Sequence, residues 1–388
     1  MIAPIINSNL NHSGILALMK ILHIVPHLSK GGAEKVTVDL VNQLNSLGNE
    51  VEILLAYPVP ADLNQSRMNQ GIKLHFLQDS PKSKYITYIT LISYIFKNLP
   101  NLRKFSVIHC HLTLGFYAGL ILRILNVQKR LKAPKIVFTD HSVGVFIPAW
   151  KRLQFRFSPA IFDSVILMGL SNWWERFINQ NPSSRVFFIP NGIFVTQEKT
   201  QKLPKSLNGK FKVATISRLV PERHPILFLR LFLLLKKKSA TSFCFEVGGE
   251  GPEREKLVEF AKGSNLSNDL NFSGLINGAE KFLSDVSIYV TLCVKNVSGI
   301  AGLEAVLSGV PVVGIQIDPD YSGGESDWIF SSRSDEVLAN QIVYLIQNRA
   351  AYDAIRQAQY DYLVDNLSIG KMANSYLEVY ASALDTAS

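Results

Sequence analysis

Residues 296–311 read NVSGIAGLEAVLSGVP, a glycine-rich segment that continues into an apolar helical run. We predict that Gly299 and Gly302 belong to a loop whose backbone N–H groups, with the helix N-terminus, bind a phosphate or diphosphate. Glu304, placed at the start of the helix, would repel a phosphate, so we expect its carboxylate to accept hydrogen bonds from sugar hydroxyls. A plain glycine-rich turn with a favourable first-turn charge explains the same residues equally well. The segment alone therefore indicates either a nucleotide-sugar pocket or a simple turn.

Around this segment the chain is predicted to consist of two β/α halves. The first half opens with a strand at 21–26, a helix at 33–47 and a strand at 50–56, which is a βαβ unit and implies a parallel sheet. Short buried runs that alternate with helical stretches indicate a doubly wound sheet in each half. The further strands are predicted at 73–77, 107–110, 135–139, 164–168 and 186–190, and then at 212–217, 242–247, 270–273, 288–291 and 310–315.

The length of 388 residues fits two domains of average size, and the polar segment 196–210 is typical of a linker between them. We predict a first domain over 19–195, a second over 196–371, and an amphipathic final helix within 372–388 that packs back on the first domain. Residues 1–18 have no basic n-region or cleavage site of a signal peptide. They are expected to be a loose arm, or Met19 is the natural start.

The charge is unevenly distributed along the chain. Residues 1–190 contain 20 Lys and Arg against 9 Asp and Glu, whereas the remainder contains 20 against 22. A basic half beside a nearly neutral half indicates that the first half meets something anionic, either nucleic acid or an anionic membrane surface. No nucleic-acid-binding motif is present, so a membrane surface is favoured. The segment 82–104 alternates apolar residues between basic ends and is a candidate for that surface, although a helix packed on the sheet explains it as well.

The cysteines and the lengths of the apolar runs indicate the cellular location and the kind of chemistry. The three cysteines show no metal-binding or redox spacing, which favours a reducing compartment and no structural metal. No run of about 18 uninterrupted apolar residues occurs, so no transmembrane helix is predicted. We therefore expect a cytoplasmic protein, or one that lies peripherally on the cytoplasmic face of a membrane.

Two motifs of the first half are candidate ligand contacts. Gly31 and Gly32, in HLSKGGAEK, form a turn at a helix N-terminus, which suits an anion but serves equally as a strand-to-helix connection. His111 and His141 each follow a strand, and the carboxyl ends of parallel strands are where α/β sheets bind ligands. His109 lies inside its strand and is predicted to be part of the core.

Two motifs of the second half follow strands in the same way. Arg218 and Arg223, in RLVPER, would suit a diphosphate because the guanidinium is planar and always charged. A solvated loop paired with Glu222 is the alternative. Gly249, in GGEGP, belongs to a tight turn that could flank a nucleotide base.

Taken in order, these motifs resemble glycosyltransferase family 4, whose members are retaining enzymes with the GT-B fold. The resemblance extends over nearly the whole chain from Met19. It is carried by GGAEK, TDHS, PNGI, SRLVPER, GGEGP and GLEAVLSGVPVV, at 31–35, 139–142, 190–193, 217–223, 248–252 and 302–313. The resemblance implies an α/β protein of two Rossmann-like domains with parallel sheets that face each other across a cleft, the second domain binding a nucleotide-sugar donor and the first an acceptor.

The resemblance also implies residue roles. Glu304 would bind the donor ribose, Arg218 and Arg223 would neutralise the leaving diphosphate, and His141 would contact the transferring sugar. The remaining donor contacts would be Gly31, Gly32, Gly249, Asn296, Gly299, Ile300, Ala301 and Gly302, and His111 would bind the acceptor. The implied donor is a UDP- or GDP-sugar, and no metal or other cofactor is implied.

Two residues depart from the family pattern. Asn296 stands where the family has the first of two glutamates, which keeps a hydrogen-bond acceptor but loses the charge. Arg223 stands where lysine is usual, which keeps the charge.

We expect transfer to a saccharide or lipid-linked acceptor in bacterial surface polysaccharide synthesis. A nucleotide-sugar epimerase of the same fold, and a non-catalytic sugar-nucleotide-binding protein, remain open alternatives.

Overall fold

A computed structural model describes residues 18–29, 31–58, 67–125, 133–141, 149–169, 172–182, 184–195, 210–238, 242–294, 297–318 and 328–385. Residues 1–17 of the predicted arm, residues 196–209 of the predicted linker, and Asn296 lie outside these residues. The chain forms two compact units. The first unit ends at Phe194 and includes the chain again from Ile369, and the second unit runs from Val195 to Ser368.

The first unit is built on a seven-stranded parallel sheet in the order β3-β2-β1-β4-β5-β6-β7. The strands are β1 Lys20–Val25, β2 Glu50–Leu55, β3 Lys73–Phe76, β4 Val107–His111, β5 Lys135–Asp140, β6 Ser164–Leu167 and β7 Val186–Phe188. The helices between them are α1 Gly32–Ser46, α2 Lys84–Leu102, α3 Leu112–Ile124, α4 Ala149–Ile161 and α5 Asn172–Gln180.

The second unit contains a six-stranded parallel sheet in the order β10-β9-β8-β11-β12-β13. Its strands are β8 Phe211–Ile216, β9 Phe243–Gly248, β10 Leu270–Gly274, β11 Ile288–Cys293, β12 Val312–Gln316 and β13 Phe330–Ser332. Its helices are α6 Ile226–Lys238, α7 Arg254–Gly263, α8 Ala279–Leu283, α9 Ile300–Leu307, α10 Asp335–Gln347 and α11 Arg349–Asn366, with one 3₁₀ turn at Pro221–Arg223. The predicted α/β class with two parallel sheets is confirmed.

Alternation along the central strands sorts their side chains between the two faces of the first sheet. Ile108 and Cys110 of β4 belong to a large apolar core that also contains buried residues of α2 and α3. His109 lies between these two residues, and His111 follows Cys110. Both histidines point to the opposite face because side chains alternate along a strand. That opposite face therefore carries polar groups that need hydrogen-bond partners.

The last helix, α12 (Ile369–Asp385), packs on this polar face of the first unit. It contacts α1 and β5, and it buries Tyr376 and Tyr380. The helix is anchored at its start by the Ile369 N–H, which donates to the Ile193 carbonyl at 2.8 Å. The helix begins at Ile369, so the boundary predicted between 371 and 372 falls inside its first turn. None of the described helices is both long and apolar enough to cross a bilayer.

Candidate functional site

Each sheet reverses its strand order at its centre, between β1 and β4 in the first unit and between β8 and β11 in the second. Open α/β sheets bind ligands outside the carboxyl ends of the strands at such a reversal point. The turn with Gly31 follows β1, and His111 ends β4. The loop with Arg218 follows β8, and Gly299 lies on the segment that follows β11. The fold thus places four of the predicted motifs at the two reversal points.

Arg218 and Arg223 form a cationic pair at the carboxyl end of β8. Burial and the neighbouring charge of Arg218 together lower the pKa of the Arg223 guanidinium, which shows that the two cations lie near each other. Arg218 is exposed and Arg223 is half-buried. Within the described ranges, neither guanidinium has a carboxylate within ion-pair distance. The pairing with Glu222 considered above is therefore not formed, and among the described residues of the second unit these two cations have no counterion.

The GGEGP turn supports the arginine loop through the backbone. The Leu219 N–H donates to the Glu250 carbonyl and the Glu253 N–H donates to the Leu219 carbonyl, each at 2.9 Å. Gly249 has a φ of +122°, and a Cβ there would lie 1.9 Å from the Ser217 carbonyl oxygen. Only glycine fits so close an approach. This contact explains the glycine at 249 structurally, and its predicted contact with the donor stays a prediction.

Helix α9 begins earlier than predicted. Gly299 is its N-cap, and Ile300, Ala301 and Gly302 form its first turn, so the loop predicted over Gly299–Gly302 is wrong beyond Gly299. At Gly302 the Ser298 hydroxyl lies where a side chain would begin, because a Cβ there would meet the Ser298 Oγ at 1.9 Å. The Gly302 N–H donates to the Gly299 carbonyl at 3.0 Å. The N–H groups of Ile300 and Ala301 have no acceptor within the helix, so they still present donors to an anion.

Glu304 lies in the second turn of α9 and does not open the helix as predicted. Its charge acts on the buried Tyr289 of β11, where burial and Glu304 both raise the pKa of the phenol. The Tyr289 hydroxyl accepts from the Ile216 N–H at 3.1 Å and donates to the Ile216 carbonyl at 3.2 Å. Glu304 therefore lies near Ile216, the last residue of β8. Arg218 follows Ile216 by two residues.

In the first unit, Gly31 is the N-cap of α1 and Gly32 is its first residue. The Glu34 carboxylate folds back over this turn, where a Cβ on Gly31 would lie 1.9 Å from its Oε2. Ser29 Oγ is 3.5 Å and His27 Nδ1 is 3.6 Å from Glu34 Oε1. A carboxylate thus occupies the helix N-terminus where a diphosphate contact was predicted, and that contact stays a prediction.

His141 follows β5 and is connected to two further histidines. His111 Nδ1 is 2.9 Å from His141 Nε2, and His111 Nε2 is 2.9 Å from His23 Nδ1. His23 and His111 are fully buried, whereas His141 is partly exposed. Burial lowers the pKa of His23 to about 3 and that of His141 to about 4. For His111, burial and then the neighbouring histidines lower the pKa well below its usual range.

Both ring nitrogens of His111 are therefore engaged, and its buried ring lies behind His141. This geometry gives His111 a supporting contact to His141, and the acceptor contact predicted for it stays a prediction. Sequence reasoning missed His23. The order of the strands was not predicted, and only the folded sheet pairs β1 with β4 so that His23 stands in register with His109.

His109 anchors the last helix to the sheet. Its Nδ1 is 2.6 Å from the Tyr380 hydroxyl and its Nε2 is 2.7 Å from Thr139 Oγ1, so His109 is buried as predicted. Nitrogens of His23, His109 and His111 lie within 4.8 Å of one another, which is a spacing that metal ions accept. A metal there would have to displace these hydrogen bonds, and no metal was predicted.

Similarity to known proteins defines the class. The structure resembles Anabaena HepE, solved in complex with UDP and glucose, with a TM-score of 0.70 and 15% identity over 94% of this chain and 100% of that one. At this identity the likeness shows the fold alone, which is GT-B. Sequence models of Glycosyltransferase Family 4 and of Glycosyl transferases group 1 match residues 30–197 and 196–362. The chain belongs to the group 1 glycosyltransferases of family 4.

Two relatives illustrate the range of the family. A Campylobacter jejuni protein is 26% identical over 80% of this chain and 82% of its own length. Its name is GalNAc-alpha-(1->4)-GalNAc-alpha-(1->3)-diNAcBac-PP-undecaprenol alpha-1,4-N-acetyl-D-galactosaminyltransferase. The poly(ribitol-phosphate) alpha-N-acetylglucosaminyltransferase of Staphylococcus aureus is 23% identical over 53% of this chain. The match spans 41% of that enzyme's length.

Proposed function

We propose that this glycosyltransferase moves a sugar, with retention at the anomeric carbon, from a UDP- or GDP-sugar to a saccharide or lipid-linked acceptor in bacterial surface polysaccharide synthesis. The observation that carries the proposal is the uncompensated pair Arg218 and Arg223 at the reversal point of the second sheet. Two cations that interact with each other and have no counterion in the described part of the chain favour a dianionic ligand. The names of the two relatives, one of which acts on an undecaprenol diphosphate glycan, support the class of acceptor.

In the proposed reaction, the protein acts mainly through electrostatics. Arg218 and Arg223 neutralise the departing diphosphate, and the first turn of α9 donates backbone hydrogen bonds to it. Glu304 accepts hydrogen bonds from the ribose, and His141 contacts the transferring sugar. The leaving phosphate oxygen takes the proton of the acceptor hydroxyl on the same face of the sugar. The proposal requires no protein nucleophile and no metal.

Product stereochemistry tests the proposal. The protein is incubated with UDP- and GDP-sugars and with saccharide and undecaprenyl-diphosphate-linked acceptors, with and without EDTA. We expect one donor to be consumed only with acceptor present, and NMR to show the donor's anomeric configuration in the product, unchanged by EDTA. Conversion of the donor without acceptor would instead identify an epimerase. Donor binding without any turnover would identify the non-catalytic alternative.

The proposal includes a membrane-bound position, which rests on the outer face of α2. Tyr85, Ile89, Ile92 and Phe96 recur at helical spacing and are between 42 and 79% exposed. Leu91 and Ile95, on the inner face, are completely buried in the core. We call the four exposed residues the outer apolar stripe. Within the described part of the chain this second apolar face is left exposed, which is unusual for a helix of a monomeric protein.

The charges around the stripe favour an anionic lipid surface as its partner. Helix α2 contains lysines at 84 and 97 and no acidic residue, and both lysines are exposed. The neighbouring helix α3 also exposes apolar residues, Tyr117 and Ile124. Apolar side chains between lysines are the pattern of helices that lie in a membrane interface.

Binding to phosphatidylglycerol vesicles tests this position. We expect the double variant Ile89→Glu, Phe96→Glu to bind about tenfold less in vesicle sedimentation, because two apolar contacts are lost and anionic lipid repels the new charges. The variant Leu275→Glu, which alters an exposed leucine of the second unit, is the matched control. Equal binding by the double variant and the control, or no binding by the wild type, would contradict the proposed membrane contact.

A further inference from the structure

His23, His111 and His141 form a hydrogen-bonded chain that leads from the buried middle of the first sheet to a residue with a proposed role in transfer. We call these three residues the histidine chain. Two ring-to-ring contacts of 2.9 Å connect them, each between one Nδ1 and one Nε2. Only two ring nitrogens of the chain stay outside these contacts, His23 Nε2 at the buried end and His141 Nδ1 at the other end.

The three rings of the histidine chain are neutral, and this restricts which of their nitrogens carry a proton. Burial lowers the pKa of each of the three rings, so at neutral pH each ring carries a single N–H. Each contact needs one donor and one acceptor. If His111 is protonated on Nδ1, its Nε2 must accept from His23 and its Nδ1 must donate to His141. If His111 is protonated on Nε2, both directions reverse. The chain therefore has two possible proton arrangements.

The buried end of the chain distinguishes the two arrangements. His23 Nε2 is buried and has no hydrogen-bond partner within the described part of the protein. In one arrangement this atom carries a proton and becomes a buried donor without an acceptor. In the other arrangement it keeps only a lone pair. Buried N–H groups without a partner are rarer in proteins than under-satisfied acceptors, so the second arrangement is favoured.

We propose that His23 and His111 are positioning residues that keep His141 in the Nδ1–H tautomer, so that His141 donates a hydrogen bond through Nδ1. The inference rests on the proposed function for the use of that bond, which would go to a sugar hydroxyl or a phosphate oxygen. With Nε2 accepting from His111 and Nδ1 protonated, His141 has no free lone pair. His141 therefore cannot act as the base that takes the acceptor's proton, which leaves this role to the leaving phosphate.

Nitrogen NMR on the complete, ligand-free protein tests the tautomers without any substrate. The whole protein contains eight histidines, which is few enough to label with ¹⁵N-histidine and to assign by single substitutions. We expect His23, His111 and His141 to be neutral and protonated on Nδ1 at pH 7. This signature is distinctive, because free histidine side chains in water favour the Nε2–H form. A wild-type His141 that is protonated on Nε2, or charged, would overturn the proposal.

Substitution of His23 tests whether the buried end sets the tautomer. In His23→Met the N–H donor to His111 Nε2 is replaced by a thioether sulfur, which can only accept. Both contacts then reverse, and we expect the Nδ1 signal of His141 to move from the protonated to the unprotonated range. His23→Asn places an amide N–H near the position of Nδ1, so we expect it to keep the wild-type signature. His75→Leu is the control, because His75 contacts Glu52 outside the histidine chain.

The outcomes separate this inference from the proposed function. A His141 signal that is unchanged in His23→Met would overturn the positioning role. If His23→Met does not fold, the wild-type and His23→Asn spectra still decide the tautomer. If the spectra show the expected signature but His141→Ala transfers sugar as well as the wild type, the tautomer inference stands and the proposed role of His141 fails.

Discussion

Replacing Arg223 with alanine is expected to lower kcat/KM for sugar transfer by about 10²–10³-fold, the usual cost of removing one group that stabilises charge in a transition state. The reason is the position of Arg223 in the structure. Its guanidinium is half-buried and close to Arg218, and burial and that second cation lower its pKa. Keeping two such cations together costs free energy in the free protein, and a bound diphosphate offsets that cost.

The conservative variant and a surface control sharpen this prediction. Arg223→Lys keeps the charge but loses the planar fork, so we expect a smaller loss, about tenfold. Arg349→Ala removes an exposed arginine that pairs with Asp353 at 2.6 Å, and it should leave transfer unchanged because exposed pairs contribute little. Steady-state kinetics with the donor that the wild type uses provide the measurement. Similar rates for Arg223→Ala and Arg349→Ala would rule out a diphosphate site at this loop.

The arrangement of strands was predictable because it depends on local pattern. Buried runs separated by helices imply parallel sheets, and the residue after each strand then lies at the edge where ligands bind. This reasoning placed Arg218 and His141 at strand ends. Helix boundaries were less predictable, since Gly302 is a poor helix former in isolation, and only the folded chain shows that the Ser298 side chain leaves no room for a Cβ at this position of α9.

Contacts between distant parts of the chain were not predictable. The Tyr380 hydroxyl reaches His109 across 271 positions of sequence, and nothing in the spacing of either residue indicates the pair. The three-residue strand β13 is too short to leave a pattern. The fold-back of Glu34 over Gly31 was also missed, because the Gly-Gly pair reads as an open anion site until the side chain three residues later is placed. The contacts of Tyr380 and Glu34 were missed because their partners are defined only by the folded chain.

Replacing Glu304 with alanine is expected to weaken UDP binding by about 10²- to 10⁴-fold, the cost of losing two hydrogen bonds to a charged acceptor. Glu304 lies in the second turn of α9 and acts on Tyr289, whose hydroxyl is bonded to Ile216 at the end of β8. The proposed ribose contact requires a carboxylate near the strand end that precedes Arg218, and Glu304 meets this requirement. The rise in melting temperature with UDP measures the affinity, since a ligand that binds only the folded protein stabilises it by mass action.

A loss of binding in Glu304→Ala could also follow from a disturbed helix, so the ligand has to be varied together with the protein. Wild type and variant are each measured with UDP and with its 2′-deoxy and 3′-deoxy forms. If Glu304 accepts from the ribose, removing a hydroxyl weakens binding to the wild type but scarcely affects the variant, because the partners are coupled. If removing the hydroxyl costs both proteins equally, Glu304 does not contact the ribose. Glu336→Ala, which removes an exposed glutamate paired with Lys238 at 3.1 Å, should behave as the wild type with all three ligands.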